Sequence, residues 1–373
     1  MTARRGFRAS GLAALALLVA PAALRAQEAR PTLYTGVEYR TLSFDPGLPT
    51  RTKTVTEMVV PIGLVLPFSN RVTLDVGTRF ARAQRTDETD TTSTITGLTD
   101  IQARAVVQLV PDKALFTLTA NIPTGKTKLS GGELALAGRI GDNLFPFPVA
   151  NFGSGASVTT GLALAVPVAG WALGLAGSYR MSGSFTPLAG ASTYKAGAEV
   201  RVRAGVDRVI GQGRISAGFT YSSFSTDEFG GADVYLPGRR YISQAALSVP
   251  LGNVGLSLYA WDLYRASGSV PINGQTTGKQ NLMTFGAGLS IQQGRNLLRP
   301  SVEYRMMDSS QVKAGSLVKA GALLSLGLRY QMAVGESMSL QPSLRFDTGS
   351  LPFGGTDVAF RGFSIGLSVR KTM

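Results

Sequence analysis

The side chains that could do chemistry in this chain are arginines and carboxylates, because its 373 residues include no histidine and no cysteine. Their absence removes the commonest general base and metal ligand, every thiolate zinc site and the cysteine nucleophile. A Ser-Lys or carboxylate pair remains chemically open, but no spacing points to one and no catalytic residue is assigned. Asp87, Glu88 and Asp90 cluster in one polar stretch, and Asp227, Glu228 and Asp233 in another. A hard cation needs several converging oxygens, so these read as solvated loop acids that divalent ions could bridge to lipopolysaccharide. Neither a metal site nor a cofactor is expected. What remains is the attraction of ions by basic residues that recur singly, often at every second position, as at Arg201 and Arg203 beside Glu199.

The formal net charge is +14, and it falls to +10 without the four arginines of residues 1–26. That opening segment carries Arg4, Arg5 and Arg8, an uncharged run from Ala9 to Leu24 broken by Pro21, and Ala26 before Gln27. A basic start, an apolar core and small residues at the cut describe a secretory signal peptide over 1–26, leaving 27–373 as one domain. A nucleic-acid surface would need a basic patch or stripe. The longest basic pair in the body of the chain is Arg239-Arg240, so no nucleic-acid partner is expected.

Residues i, i+2 and i+4 of a strand share a face, so alternate charges describe a sheet with one wet and one apolar side. In 194–206 the set Tyr194, Ala196, Ala198, Val200, Val202 opposes Lys195, Gly197, Glu199, Arg201, Arg203; 71–83, 298–306 and 324–330 alternate likewise. About sixteen such segments are predicted (range twelve to sixteen): 33–44, 54–66, 71–83, 99–109, 114–122, 157–168, 171–182, 193–206, 213–224, 239–249, 253–265, 280–292, 296–306, 316–332, 336–347 and 359–370. Short turns and longer polar loops alternate between them, with both chain ends on the short-turn side. Only 16% of residues are charged and mean hydropathy is +0.13. An all-β transmembrane antiparallel barrel sorts its connections in this way, and a sandwich has no reason to.

Aromatic residues on the apolar parity, namely Phe80, Tyr179, Tyr194, Tyr221, Tyr241, Tyr304 and Phe346 near the long loops, with Trp171 and Tyr330 near the short turns, predict two interfacial girdles. The uncharged stretch 143–179 would score as a membrane helix over 161–177. Pro167 and the Val168-Ala169-Gly170 turn divide it into two strands instead.

On the polar parity, facing the lumen, the basic residues are Arg40, Arg79, Arg104, Arg180, Lys195, Arg201 and Arg203, then Arg240, Arg299, Arg305, Lys319, Arg329 and Arg345. The acids there are Glu38, Glu57, Asp75, Glu199, Glu303 and Asp347. Individual arginines are expected to pair and stiffen the wall. Unpaired cations lining a pore bias it toward anions.

Three short glycine motifs carry a resemblance. Gly97-Leu98-Thr99-Asp100 opens a strand, Pro123-Thr124-Gly125 closes the next, and Gly153-Ser154-Gly155 precedes another. Together with their flanking segments, about a quarter of the chain, they resemble the outer-membrane β-barrel transporter family labelled for the meta-pathway of phenol degradation. The resemblance implies a porin-like barrel in the outer membrane of a diderm bacterium, passing small, often aromatic or apolar compounds. It implies no defined catalytic residue. Gly-x-x-Asp and Pro-Thr-Gly also serve as plain turn chemistry.

A passive channel for small anionic or aromatic and apolar solutes is therefore the expected function, with outer-membrane lipid, lipopolysaccharide and the barrel assembly machinery as partners. The alternatives are a structural or surface-interaction barrel without transport, and a barrel enzyme. Phe363, Ile365, Leu367 and Val369 alternate properly, but the chain ends Arg370-Lys371-Thr372-Met373 instead of on an aromatic residue, a departure from outer-membrane habit that bears on assembly.

The longest expected connector, 123–156, is the third long loop and contains Leu134, Leu136, Ile140 and the run Leu144-Phe145-Pro146-Phe147-Pro148-Val149. So many apolar groups do not stand in water, and a loop of this length without function is uncommon. It is predicted to lie inside or across the mouth as a constriction, with Leu144, Phe145 and Phe147 as its greasy lining.

Overall fold

A computed structural model describes residues 30–310 and 315–373. The expected signal segment lies outside the described residues. Sixteen antiparallel strands close into a barrel: β1 Thr32–Phe44, β2 Thr52–Pro67, β3 Val72–Asp87, β4 in two pieces (Thr92–Leu98 and Ile101–Val110), β5 Ala114–Ile122, β6 Ser157–Val168, β7 Trp171–Ser182, β8 Glu199–Ile210, β9 Gly213–Phe224, β10 Arg240–Leu251, β11 Val254–Arg265, β12 Gln280–Gln293, β13 Asn296–Ser309, β14 Val318–Val334, β15 Met338–Phe353 and β16 Thr356–Thr372. Each pairs with its sequence neighbours, and β16 returns to β1 with Thr32 opposite Thr372 and Phe44 opposite Phe360. Closure leaves no open edge, which a membrane requires of any sheet.

The pleat sorts the side chains. Leu33, Val37 and Tyr39 of β1 stand exposed on the outside, while Arg40, Leu42 and Phe44 of the opposite parity are buried inside. The outer belt continues through Leu162, Leu175, Val202, Phe219, Phe285, Leu326 and Ile365, all exposed. Phe80, Tyr179, Tyr304 and Phe346 stand exposed among them, and Tyr221, Tyr241 and Tyr264 stack side by side on β9–β11. At the short-turn end Arg208 lies over Trp171 at 5.1 Å. The stretch 143–179 forms no membrane helix: the two strands β6 and β7 meet at Ala169-Gly170, both at positive φ.

Wall height differs around the barrel. Strands β2, β3 and β14–β16 are 16 or 17 residues long, whereas β5–β11 are 9 to 12. The excess lies at the long-loop end, where two expected polar loops are instead strand. Over 84–98 the chain continues as β3 and β4 with only residues 88–91 between. Over 348–358, β15 and β16 run on to a turn at Gly354-Gly355, whose φ of 59° and 84° suits the mirror-image hairpin turn that glycine permits. The predicted strand 193–206 is displaced to β8, because Tyr194 and Lys195 belong to a small ribbon over the mouth. There the Tyr194 hydroxyl donates to Asp227 at 2.5 Å. Tyr194 is thus not a girdle residue, and Lys195, paired with Glu228 at 3.0 Å, is not a lumen residue. Lys319, counted on the polar parity, pairs with Asp357 at 3.3 Å, both half-exposed.

The long connector contains an unexpected helix, α1 (Gly131–Ile140). Ser130 accepts from the Glu133 amide and the Glu133 carboxylate accepts from the Ser130 amide, a capping box that Ser-x-x-Glu at 130–133 encodes.

Candidate solute path and its lining

The tall wall is covered from inside by the long connector. Leu136 and Ile140 of α1, with Leu144, Phe145, Phe147, Val149 and Phe152 beyond it, form one buried cluster with Leu42, Phe44, Val55, Val59, Ala81, Ile95, Leu323 and Phe360 of the strands. Phe145 meets Phe44 and Phe360 edge to face at 5.6 and 5.2 Å. Leu144 lies so close to Gly321 that a Cβ there would come within 2.5 Å of it. Leu144, Phe145 and Phe147 are 0%, 3% and 8% exposed. Their side chains are consumed by packing on the wall, and the greasy contact expected of them is not presented to the lumen.

Wall charges grip the backbone of the same segment at three points. Arg40 donates to the Pro146 carbonyl, Glu57 accepts from the Val149 amide at 3.2 Å, and Arg305 donates to the Asn143 carbonyl at 3.3 Å. Arg40 and Arg305 belong to a continuous network, which Glu57 does not join. Asp347 accepts from Arg40 (2.5 Å), Ser325 (2.6 Å) and Arg345 (2.9 Å), and Glu303 accepts from Arg345 (3.1 Å), Arg305 (3.0 Å) and the Tyr259 hydroxyl (2.6 Å). Buried charges persist when paired and hydrogen-bonded in this way.

Both ends of the connector are tied at one node. Asp100, in the break of β4, accepts from the Gly125 amide at 2.9 Å on one oxygen. Its other oxygen accepts from the Ser154 amide and Asn121, both at 2.8 Å. Thr124 donates to the Thr99 carbonyl and accepts from the Ile101 amide, each at 3.0 Å, and Asn121 also donates to the Gly155 carbonyl. Gly125 is required for close approach, since a Cβ would fall 1.9 Å from the Phe152 carbonyl oxygen. The three motifs singled out from sequence, around Gly97 and Asp100, Pro123 to Gly125, and Gly153 to Gly155, therefore converge. Together they form the neck of the inserted loop.

Opposite the covered wall, β5–β8 face an open, polar lumen. A cavity of about 290 Å³ lies between the neck and this wall, lined among others by Asn121, Thr159, Ser178, Arg180, Glu199 and Arg201. Glu199 is 4% exposed under Arg201 at 2.7 Å and Arg180 at 3.7 Å, whose side chains keep 48% and 39% of their exposure. Arg203 follows on the same face, and Arg240 on β10 rests on the Phe224 ring at 5.3 Å.

The remaining predicted residues lie apart from this arc. Arg104 pairs with Asp75 across β3 and β4. Arg79 is exposed on the inner parity of β3, and Arg299 faces Arg329 directly in the register of β13 and β14, toward the short turns. Sequence reasoning missed Asp207, which is buried and paired with Arg214 at 2.6 Å, and Arg265 at the end of β11. Asp207 follows from carrying the period-2 parity past 206 to the true end of β8, whereas Arg265 already lay on the last residue of the predicted strand 253–265. Within the connector, burial pushes the Asp142 carboxyl above its ordinary value and the Arg139 guanidinium below its own.

No protein-family model and no curated protein sequence matches this chain. Solved structures with a similar outline include the TodX monoaromatic hydrocarbon channel (deltaS2 mutant), 9% identical over 92% of this chain and 90% of that one, with a TM-score of 0.48. The CymD monoaromatic hydrocarbon channel is 12% identical over 91% and 88%, with a TM-score of 0.42. Salmonella typhi OmpF in complex with daunomycin is 13% identical over 92% and 98%, with a TM-score of 0.44. At such values the fold of this chain rests on its own strand ladder.

Proposed function

We propose that the protein is an outer-membrane channel for passive passage of small solutes, with a preference for anions. The observation that carries this reading is the closed ladder around a polar lumen whose open wall presents Arg180, Arg201, Arg203 and Arg240 with Glu199 as the acid among them. Sixteen strands leave room for an aqueous path, and cations lining a path favour anions through it. The signal-like segment 1–26 supports export, and the apolar belt with its rings supports an outer-membrane site among lipid and lipopolysaccharide, reached through the barrel assembly machinery. The neck formed by the three glycine motifs supports kinship with the meta-pathway transporter family. An aromatic or apolar solute is the weaker reading for this chain, because Phe145 and Phe147 are packed away.

Planar-bilayer recordings of the folded barrel across a salt gradient test the proposal. Discrete conductance steps with a reversal potential of anion sign are expected. No conductance, or cation selectivity, overturns it, the first outcome favouring a structural barrel.

A further inference from the structure

We propose that Arg201, Arg240 and Arg265, with Arg203 beside them, form a discrete binding site for a small oxyanion bearing two or more negative charges, of the phosphate or dicarboxylate kind. The inference rests on the reading of the lumen as a solute path and assigns that path a ligand class.

The register places these groups in one cross-strand row. Arg201 lies opposite Ser222, Ser222 opposite Arg240, and Arg240 opposite Arg265, on strands β8 to β11. Neighbouring strands are about 4.8 Å apart, so the three guanidinium groups originate within about 15 Å and their side chains can converge over the lumen. Ser178 and Gln280 extend the row at its two ends with further polar groups.

Three features separate this row from the arginines of the covered wall. First, Arg240 and Arg265 are directly opposed like charges, an arrangement that destabilises a sheet, and Arg240 lies in the field of Arg201, Arg265 and Arg180, with Glu199 as the acid that acts against them. Second, among the described residues no acidic side chain pairs with Arg203, Arg240 or Arg265, and Glu199 is shared by Arg180 and Arg201. Third, two of the guanidinium groups are held in place: Arg201 by Glu199, and Arg240 by the face of Phe224. Pre-positioned forks match the paired oxygens of a phosphate or carboxylate. A ligand with two charges relieves the repulsion between neighbouring arginines, which a chloride ion relieves less. Because the row faces the lumen, a lipid headgroup phosphate cannot reach it from the membrane.

Titration calorimetry of the full, detergent-folded barrel with inorganic phosphate, succinate and chloride tests the site without requiring transport. Saturable binding of phosphate or succinate, and none of chloride, is expected; which of the two binds more tightly identifies the ligand source. The double variant R240Q/R265Q should bind on the order of tenfold more weakly or worse, while R361Q, on the outer parity of β16, should bind as wild type. Removing one of two opposed charges relieves repulsion, so R265Q should unfold at or above the wild-type temperature. If the double variant does not fold, R265K keeps the charge, loses the fork, and should bind with intermediate affinity. Absence of saturable oxyanion binding, or equal affinity in wild type and the folded variants, overturns the proposal. Phosphate or succinate binding without bilayer current would leave the site standing and remove the channel; current without such binding would do the reverse.

Discussion

Arg40 and Arg201 project from inner faces of the same barrel and each binds a carboxylate, at 2.5 and 2.7 Å, yet their side chains are 2% and 48% exposed. The difference is the inserted loop. Where residues 131–152 cover the wall, Arg40, Arg305 and Arg345 interlock with Asp347 and Glu303, and Glu57 holds the loop backbone. An uncompensated charge there would carry a full desolvation cost. Where nothing covers the wall, Arg180 and Arg201 share Glu199 while Arg203, Arg240 and Arg265 pair with no acid among the described residues, since water tolerates the imbalance. Around the covered wall the charges balance, while Arg180, Arg201, Arg203, Arg240 and Arg265 outnumber the acid beside them, so an arginine's role depends on whether the loop covers it.

The sharpest way to break this comparison is to truncate one arginine from each wall. Arg40→Ala leaves Asp347 buried with its network opened and releases the Pro146 carbonyl, and should cost about 3–5 kcal/mol. Arg201→Ala removes a half-exposed partner and leaves Glu199 with Arg180 at 3.7 Å, so it should cost less, about 1–2 kcal/mol. Thermal unfolding followed by the shift between unboiled and boiled mobility on a gel measures both. Equal losses would mean that the loop does not seal the tall wall.

Next in size is the effect of removing the cover. Deleting residues 133–149 leaves the Asp100 neck at 123–125 and 153–155 intact while taking away most of α1 and the phenylalanine run. Single-channel conductance should rise by several-fold with heat-modifiable folding retained. Unchanged conductance in a folded deletion variant would show that the open wall alone sets the path and the loop is not a constriction.

The two walls were also unequally legible in the sequence. Period-2 alternation exposes parity wherever one face meets lipid, so β1, β6, β7 and β9 stood out within a residue or two, and the apolar run 144–149 marked a loop that had to leave water. Beyond the membrane the outer face is no longer obliged to be apolar. The upper parts of β3, β4, β15 and β16 therefore read as polar loop, with Gly354-Gly355 as the one local sign of a tight hairpin. The capping box at Ser130 and Glu133 did encode α1. Packing partners were not legible: nothing local says that Phe145 meets Phe360, or that Asp100, Gly125 and Ser154 converge from three separate segments. Arg265 was missed because it sits on the last residue of its strand, where parity is weakest as a signal.

A third test acts on the open wall alone. Replacing Arg201 and Arg203 with glutamate reverses the charge on two inner positions of β8 next to Glu199, and the reversal potential should move toward or past zero while conductance changes little. The same reversal at Arg345, under the loop, should instead impair folding, because it would set a carboxylate against Asp347 and Glu303. A wild-type reversal potential in the β8 variant would place the selective step elsewhere.

The smallest expected effect is a pH dependence of loop docking. Asp142 follows α1 at the start of the phenylalanine run, and burial raises its carboxyl above the ordinary value of 3.8, against the opposing pull of the Leu144 amide and Arg139. A carboxyl whose value is raised on docking is held better protonated than charged. Its contribution to docking is therefore complete below the ordinary value and is lost as pH rises through the raised one. Acidification across that interval should tighten the loop on the tall wall and lower conductance modestly. Asp142→Asn, which cannot ionise, should keep the low-conductance behaviour throughout and flatten the profile, without altering the reversal potential set by the opposite wall. If the variant retains the full pH response, Asp142 is not the titrating group, and another carboxyl that touches the connector, such as Glu57 against the Val149 amide, carries it.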